Sequence, residues 1–237
     1  MSSNTLFRLS GLALLIALPL QILGFVLHPP SEQVVDVLKP LYGPAHLILF
    51  VSWMFALLGL TGLYARQAHR AGVLGLIGFV ATMFAAAYHI YLLLYEAYAT
   101  TLLAQEPATR ALIGDGPLGH GAGALGPLAF LLILLAFPLF GIATVRAGIL
   151  PRLAGWLQIA SIPVFFLSIF IISPDAPAPL PGITANSFLY YLAFLGYAWG
   201  GYALWTGKER TRKPATRRGA PQPTNETSQG DTPLAHP

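Results

Sequence analysis

The chain has 237 residues, 55% hydrophobic and only 9% charged, with a net charge of +4 and a mean hydropathy of +0.65. A soluble domain carries roughly a quarter charged residues, so this composition excludes a water-facing globule. The absence of cysteine excludes disulfides, iron–sulfur clusters, thiolate metal sites and cysteine nucleophiles.

Six apolar stretches have the length needed to cross about 30 Å of hydrocarbon at ~1.5 Å per residue. They fall at about 6–28, 45–65, 73–98, 122–145, 153–173 and 186–206. The expected fold is all-α: a polytopic integral membrane protein whose six-transmembrane-helix bundle occupies residues 1–206. The first run passes through Pro19 into QILGFVL without a small-x-small cleavage site, so it is expected to be an uncleaved span. The second opens with YGPAHLILF and puts His46 at its start. The third contains His89 and Glu96. At 100° per residue, Thr82, Ala85, Ala86, His89, Leu93, Glu96 and Thr100 share one face. Phe84, Tyr88, Tyr91, Tyr95 and Tyr98 share another, suited to the interfacial aromatic belt. The small and polar face is expected to point into the bundle, where ionisable groups are tolerated.

The segment 99–121 holds ATTLLAQEPATRALIGDGPLGHG, expected as an outer linker with a short surface helix. The glycine-rich GHGAGALGP (119–127) that overlaps its end lacks the lysine and preceding strand of a phosphate-binding loop. Pro127, Pro138 and Pro163 interrupt later spans and are expected to kink them. Gln21 and Gln158 are the most polar groups deep in spans and suit interhelical hydrogen bonds. PDAPAPLPG (174–182) reads as an extended outer turn. Residues 207–237 are polar, proline-rich and basic, and are expected to form a disordered cytoplasmic tail.

Charge sets the expected orientation. With the N-terminus inside, 11 of the 13 Lys and Arg fall on the cytoplasmic side, among them Arg8, Arg66, Arg70, Arg146 and Arg152. Only Lys39 and Arg110 fall outside, as the positive-inside rule requires. Both termini are therefore expected in the cytoplasm, and the location is a bacterial plasma (inner) membrane. The basic residues follow topology, so no nucleic-acid partner is expected. GLYARQAHRAGVLGLIGFVA (62–81) and GIATVRAGILPRLAGWLQIA (141–160) echo one another, each passing from a helix end through a basic loop into a new helix.

His28, His46, His89 and His120 all fall at or near the outer face, with Glu96, and form a candidate outer pocket. Imidazoles with a carboxylate suit zinc or non-haem iron, so His46, His89, Glu96 and His120 are the candidate metal ligands. Two facing histidines also suit haem, and imidazole can relay protons near neutral pH. Histidines at helix ends equally serve as interfacial hydrogen-bonding bridges. No HExxH or i,i+4 histidine pair selects among these roles. His89 and Glu96 stand ~10.5 Å apart along the helix axis, so a third group would have to join them.

RLSGLALLIAL (8–18), PAHLILF (44–50), GLYARQAHRAGVLGLIGF (62–79), YEAY (95–98) and ILPRLAGWLQIA (149–160) together give a pattern that resembles uncharacterised bacterial six-span membrane proteins of the DUF4386-like kind. The resemblance covers the spans and not the tail. It implies the six-helix architecture and transfers no catalytic residue. The lack of any catalytic motif favours a non-enzymatic accessory or binding subunit whose partners are the lipid bilayer, other membrane helices or a second copy. Two alternatives stay open: a small transporter or pH-responsive sensor with an outward pocket, and a metal- or haem-dependent membrane enzyme using the same cluster.

Overall fold

The computed structural model describes residues 3–119, 125–172 and 182–207. The described residues are helical, with no strand among them. Helix α1 (Ser3–Leu27) is followed by a single turn, α2 (Val34–Val37), and then by α3 (Tyr42–Tyr95). A π-helical turn (Glu96–Thr100), a short α4 (Thr101–Gln105) and a 3₁₀ turn (Pro107–Leu112) complete the first half. Three further long helices follow: α5 (Leu125–Ala147), α6 (Arg152–Ile171) and α7 (Ala185–Thr206).

Helix α3 is a hairpin rather than a rod. A straight helix would hold His46 and Glu96 about 75 Å apart at ~1.5 Å per residue. Their side chains instead meet at 2.8 Å. Trp53 stacks on His89 and Tyr64 on Phe79, with ring centroids 4.5 and 4.3 Å apart. These pairs share an antiparallel register in which the two residue numbers sum to 142 or 143. The reversal is made by Gly72 alone, at φ 60°, ψ −161°, a conformation open to a residue without Cβ. The polar run YARQAHRA that precedes it stays helical to Ala71, so no loop separates the two arms. The second half turns in the same way: α5 ends in Arg146-Ala147 and Gly148 takes φ 63°. The sequence echo at 62–81 and 141–160 thus contains the same Arg-Ala-Gly reversal twice.

Close approaches between small residues order the helices around a ring. A methyl on Gly59 would strike Leu14, seating the first arm of α3 on α1. Gly11 and Gly201 face each other's carbonyl between α1 and α7. Gly196 abuts the Ala154 carbonyl between α7 and α6, and Gly155 and Gly141 each meet the other's carbonyl between α6 and α5. Gly78 meets the Phe140 backbone and closes the ring through the second arm of α3. Such glycines let helix backbones approach where packing, not hydrophobic expulsion, holds helices together. The interior is filled by Leu14, Trp53, Leu60, Phe137, Phe194, Tyr197 and their neighbours.

The outside of the ring is apolar. Leu58, Val73, Phe84, Leu128, Phe170 and Ile171 are all more than half exposed. Among the described residues, four segments are long and apolar enough to cross a membrane: Ser3–Leu27, Tyr42–Gln105, Gly126–Ala147 and Arg152–Ile171. An apolar outer surface of this extent marks a membrane protein. Helix α7 has membrane length, but its Tyr, Trp, Gly and Ser dilute its hydropathy. Charge divides between the two ends of the ring. Arg66 lies over the Phe7 ring beside the N-terminal turn of α1, and the Gly78–Phe140 contact sets Arg146 beside the same end as Arg70. His28, Glu32, His46 and Glu96 gather at the opposite end.

The expected helical face of residues 82–100 is the buried one. Thr82, Ala85, Ala86, His89, Leu93, Glu96 and Thr100 are all buried, whereas Phe84, Tyr91 and Tyr98 are exposed. Residues 208–237 of the expected tail (207–237) and most of the expected turn at 174–182 lie outside the described residues, as does His120.

Candidate metal centre

Local sequence builds the centre from three elements. Pro29-Pro30 ends α1 by removing two N–H donors and disfavouring helix at the residue before them. His28 is therefore left at the helix end, and its Nδ1–H donates to the Pro29 carbonyl. The chain then turns through Ser31 and Glu32 into α2. A small apolar cluster of Val37, Tyr42, Ala104 and Ile113 pins this loop over the end of the bundle. Gln33 reinforces it by donating from Nε2 to Asp115 Oδ2 at 3.2 Å. Asp36 accepts from the Ser31 hydroxyl and pairs with Lys39.

Tyr42 and His46 lie one turn apart at the start of α3. The buried Tyr42 hydroxyl donates to Glu32 Oε2. His46 is 1% accessible, and its Nδ1–H donates to the Tyr42 carbonyl at 2.8 Å. Glu96 comes from the far end of the hairpin, where the π-helical turn begins; such turns recur at functional sites.

Four ligand-type atoms converge. His28 Nε2 stands 3.1 Å from His46 Nε2 and 3.2 Å from Glu32 Oε1. His46 Nε2 is 2.8 Å from Glu96 Oε2 and 3.8 Å from Glu32 Oε1. Donor atoms of His28, Glu32 and His46 all lie within 4.8 Å of one another. Both histidines spend Nδ1–H on a backbone carbonyl, which fixes the tautomer and turns the Nε2 lone pairs toward each other and toward two carboxylates. Left there, neutral imidazoles and two carboxylates would face lone pair against lone pair. Among the described residues, the Lys and Arg side chains at this end are Lys39, bound to Asp36, and Arg110, whose Nε donates to the Ala104 carbonyl. The centre therefore calls for added positive charge, as protons or as a metal cation.

The electrostatics of the loop groups point the same way. Burial disfavours the His28 imidazolium, but the hydrogen bond and charge of Glu32, with the Pro29 carbonyl, outweigh it and hold its pKa above the usual value. Burial likewise opposes the Glu32 carboxylate, and His28, His46 and the Tyr42 hydroxyl overcome it, holding Glu32 below the usual range.

His89 is in the same cavity but not in the cluster. Its Nδ1–H donates to the Ala85 carbonyl at 2.9 Å, so its Nε2 accepts from the Tyr190 hydroxyl at 2.8 Å. Tyr190 is set by α7, whose start is fixed by a reciprocal cap between Thr184 and Ser187. Tyr191 donates to the Gly182 carbonyl and ties the same helix start to α1. The cavity has a volume of about 800 Å³ and is bordered by His28, Glu32, His46, His89, Glu96 and Tyr190 together with apolar side chains.

Of the expected metal ligands, the structure thus brings His46 and Glu96 together and adds His28 from the expected outer pocket. His89 takes Tyr190 instead, and His120 lies outside the described residues. Glu32 was not expected at all. Its signal is the His28-Pro-Pro-Ser-Glu32 spacing beside the Tyr42/His46 pair, legible only once the loop's path is known. The chain matches no protein-family model, no curated protein and no solved structure.

Proposed function

We propose that this chain is a multi-pass membrane protein that holds a divalent first-row metal ion, zinc in the first instance, at His28, Glu32 and His46. The observation that carries this reading is the convergence of His28 Nε2, His46 Nε2 and Glu32 Oε1, each histidine oriented by a backbone carbonyl on its other nitrogen. A tetrahedral zinc site with bonds of about 2.0–2.1 Å separates its ligand atoms by roughly 3.3 Å. The His28–His46 and His28–Glu32 separations of 3.1 and 3.2 Å fit that spacing. A haem iron gripped from both sides would hold its two nitrogens about 4 Å apart, so the cis pair favours a mononuclear ion. One divalent ion would also balance the charges of Glu32 and Glu96. This reading takes precedence over the accessory-subunit expectation, which has no use for so costly a buried cluster.

The membrane frame belongs to the same proposal. The two arms of α3, with α1, α5, α6 and α7, act as six spans. The arginine-rich end faces the cytoplasm of a bacterial inner membrane with both termini, and the metal centre lies at the outer end. The charge division between the ends supports this orientation.

The test is metal analysis of the protein purified in detergent and equilibrated with zinc, beside His46→Ala. One zinc per chain that falls to background in the variant, with helicity unchanged, supports the proposal. Metal-free wild type after zinc exposure refutes it.

A further inference from the structure

We propose that this centre hydrolyses an acyl ester or amide of a membrane lipid, with Glu96 as the base that receives the proton of the attacking water. The inference rests on the metal reading above and deepens it. Closed, structural zinc sites have four protein ligands, whereas catalytic ones have three and keep a position open for water. Here His28, Glu32 and His46 form the mutually close set of donors, and the second carboxylate, Glu96, adjoins that set on one side, 2.8 Å from the ligand atom of His46. A carboxylate beside an open metal position is placed to accept a proton from water held there. Glu96 is buried, and the π-helical turn that begins with it sets it beside the ligands.

The cavity supplies the substrate class. Its 800 Å³ lies within the range that encloses a small organic ligand. Phe25, Leu49, Trp53, Leu92 and Leu93 form an apolar wall running inward from the centre, of the kind that takes an acyl chain. Two polar features interrupt that wall among the described residues: Gln21, whose Oε1 accepts from the Ser52 hydroxyl, and the His89–Tyr190 pair. Because the Tyr190 proton is given to His89, the phenol oxygen keeps its lone pairs for a hydroxyl or amide N–H on the substrate. An acyl chain along the wall would bring its carbonyl to the metal and its polar head to the mouth.

The step balances with water alone. The water oxygen forms a bond to the acyl carbon as its proton passes to the Glu96 carboxylate. The bond from that carbon to the alcohol oxygen or amine nitrogen then breaks, and Glu96 returns the proton to the leaving group. A fatty acid and an alcohol or amine result, and nothing is oxidised or reduced.

The test uses the full chain in detergent micelles with a fluorogenic long-chain acyl ester and the matching acyl amide. Expected is turnover of at least one, abolished by chelation and restored by zinc. Glu96→Gln should keep its zinc and lose roughly 10²–10⁴-fold in rate, the usual range for a general base. Zinc-loaded wild type that turns over neither substrate overturns the hydrolase while leaving the metal centre standing. Loss of zinc from Glu96→Gln makes Glu96 a fourth ligand and overturns its role as base. Absence of zinc from wild type overturns both readings. Chelation and re-addition need only the wild-type chain, so a poorly folding variant does not decide the matter.

Discussion

Tyr42→Phe isolates the second layer of the centre. Tyr42 is fully buried and gives its hydroxyl proton to Glu32, while its ring packs with Val37, Ala104 and Ile113. Phenylalanine preserves that packing and removes one donor. A hydrogen bond to a charged acceptor contributes about 1.5–3 kcal/mol, and losing it also frees the Glu32 carboxylate to rotate away from His28. Partners of this kind alter metal affinity by roughly 10–100-fold, which corresponds to about 1.4–2.8 kcal/mol and agrees with the single-bond figure. The expected result is a 10–100-fold weaker zinc affinity with an unchanged stoichiometry of one. Competition against a chromophoric chelator in detergent measures it. Wild-type affinity, within twofold, would refute the assignment of Glu32 as a ligand held by Tyr42.

Further perturbations address the frame. A methyl added by Gly155→Ala would lie 2.5 Å from the Gly141 carbonyl oxygen and 2.7 Å from Val145 Cγ2. Overpacking of this kind costs about 1–3 kcal/mol, to be seen as a lower thermal midpoint in detergent with zinc stoichiometry retained. Gly72→Ala meets no neighbour within 4 Å, so its cost should be that of the positive-φ, extended-ψ backbone alone, about 1–3 kcal/mol. A thermal midpoint equal to wild type would deny that Gly72 makes the hairpin reversal. Asp36 supplies a pH dependence. Burial raises its pKa, but Lys39 and Ser31 outweigh this and hold it below the usual carboxylate range. Its contribution to stability is therefore present above the unfolded-state value and is lost as pH falls through the folded one. The midpoint difference between wild type and Asp36→Asn should accordingly be largest near neutrality and close on acidification. A gap that stays constant with pH would contradict the pairing.

Periodicity made the buried face of residues 82–100 legible, because a helix sorts its small and polar side chains from its aromatic ones every 3.6 residues. Apolar length made the long helices legible, with boundaries shifted by a few residues. The hairpin was partly legible: a basic loop was expected between the second and third spans, but YARQAHRA contains no helix breaker before Gly72, so helix runs to the turn itself. The centre was half legible. His46 sits on a regular helix and Glu96 directly after one, so the buried face of each could be counted from the sequence. His28 and Glu32 belong to a prolyl loop without a period, and their partner His46 lies 18 and 14 residues further on. Tyr190, which captures His89, is 101 residues distant, and no local pattern announces it.

The central claim is that His28, Glu32 and His46 hold one metal ion. An anomalous-scattering map at the zinc edge, from crystals of the zinc-equilibrated protein, tests it most directly. The expected result is a single peak about 2.0–2.2 Å from His28 Nε2, His46 Nε2 and a Glu32 oxygen. A map with no peak there, or with zinc held only by other residues, would contradict it.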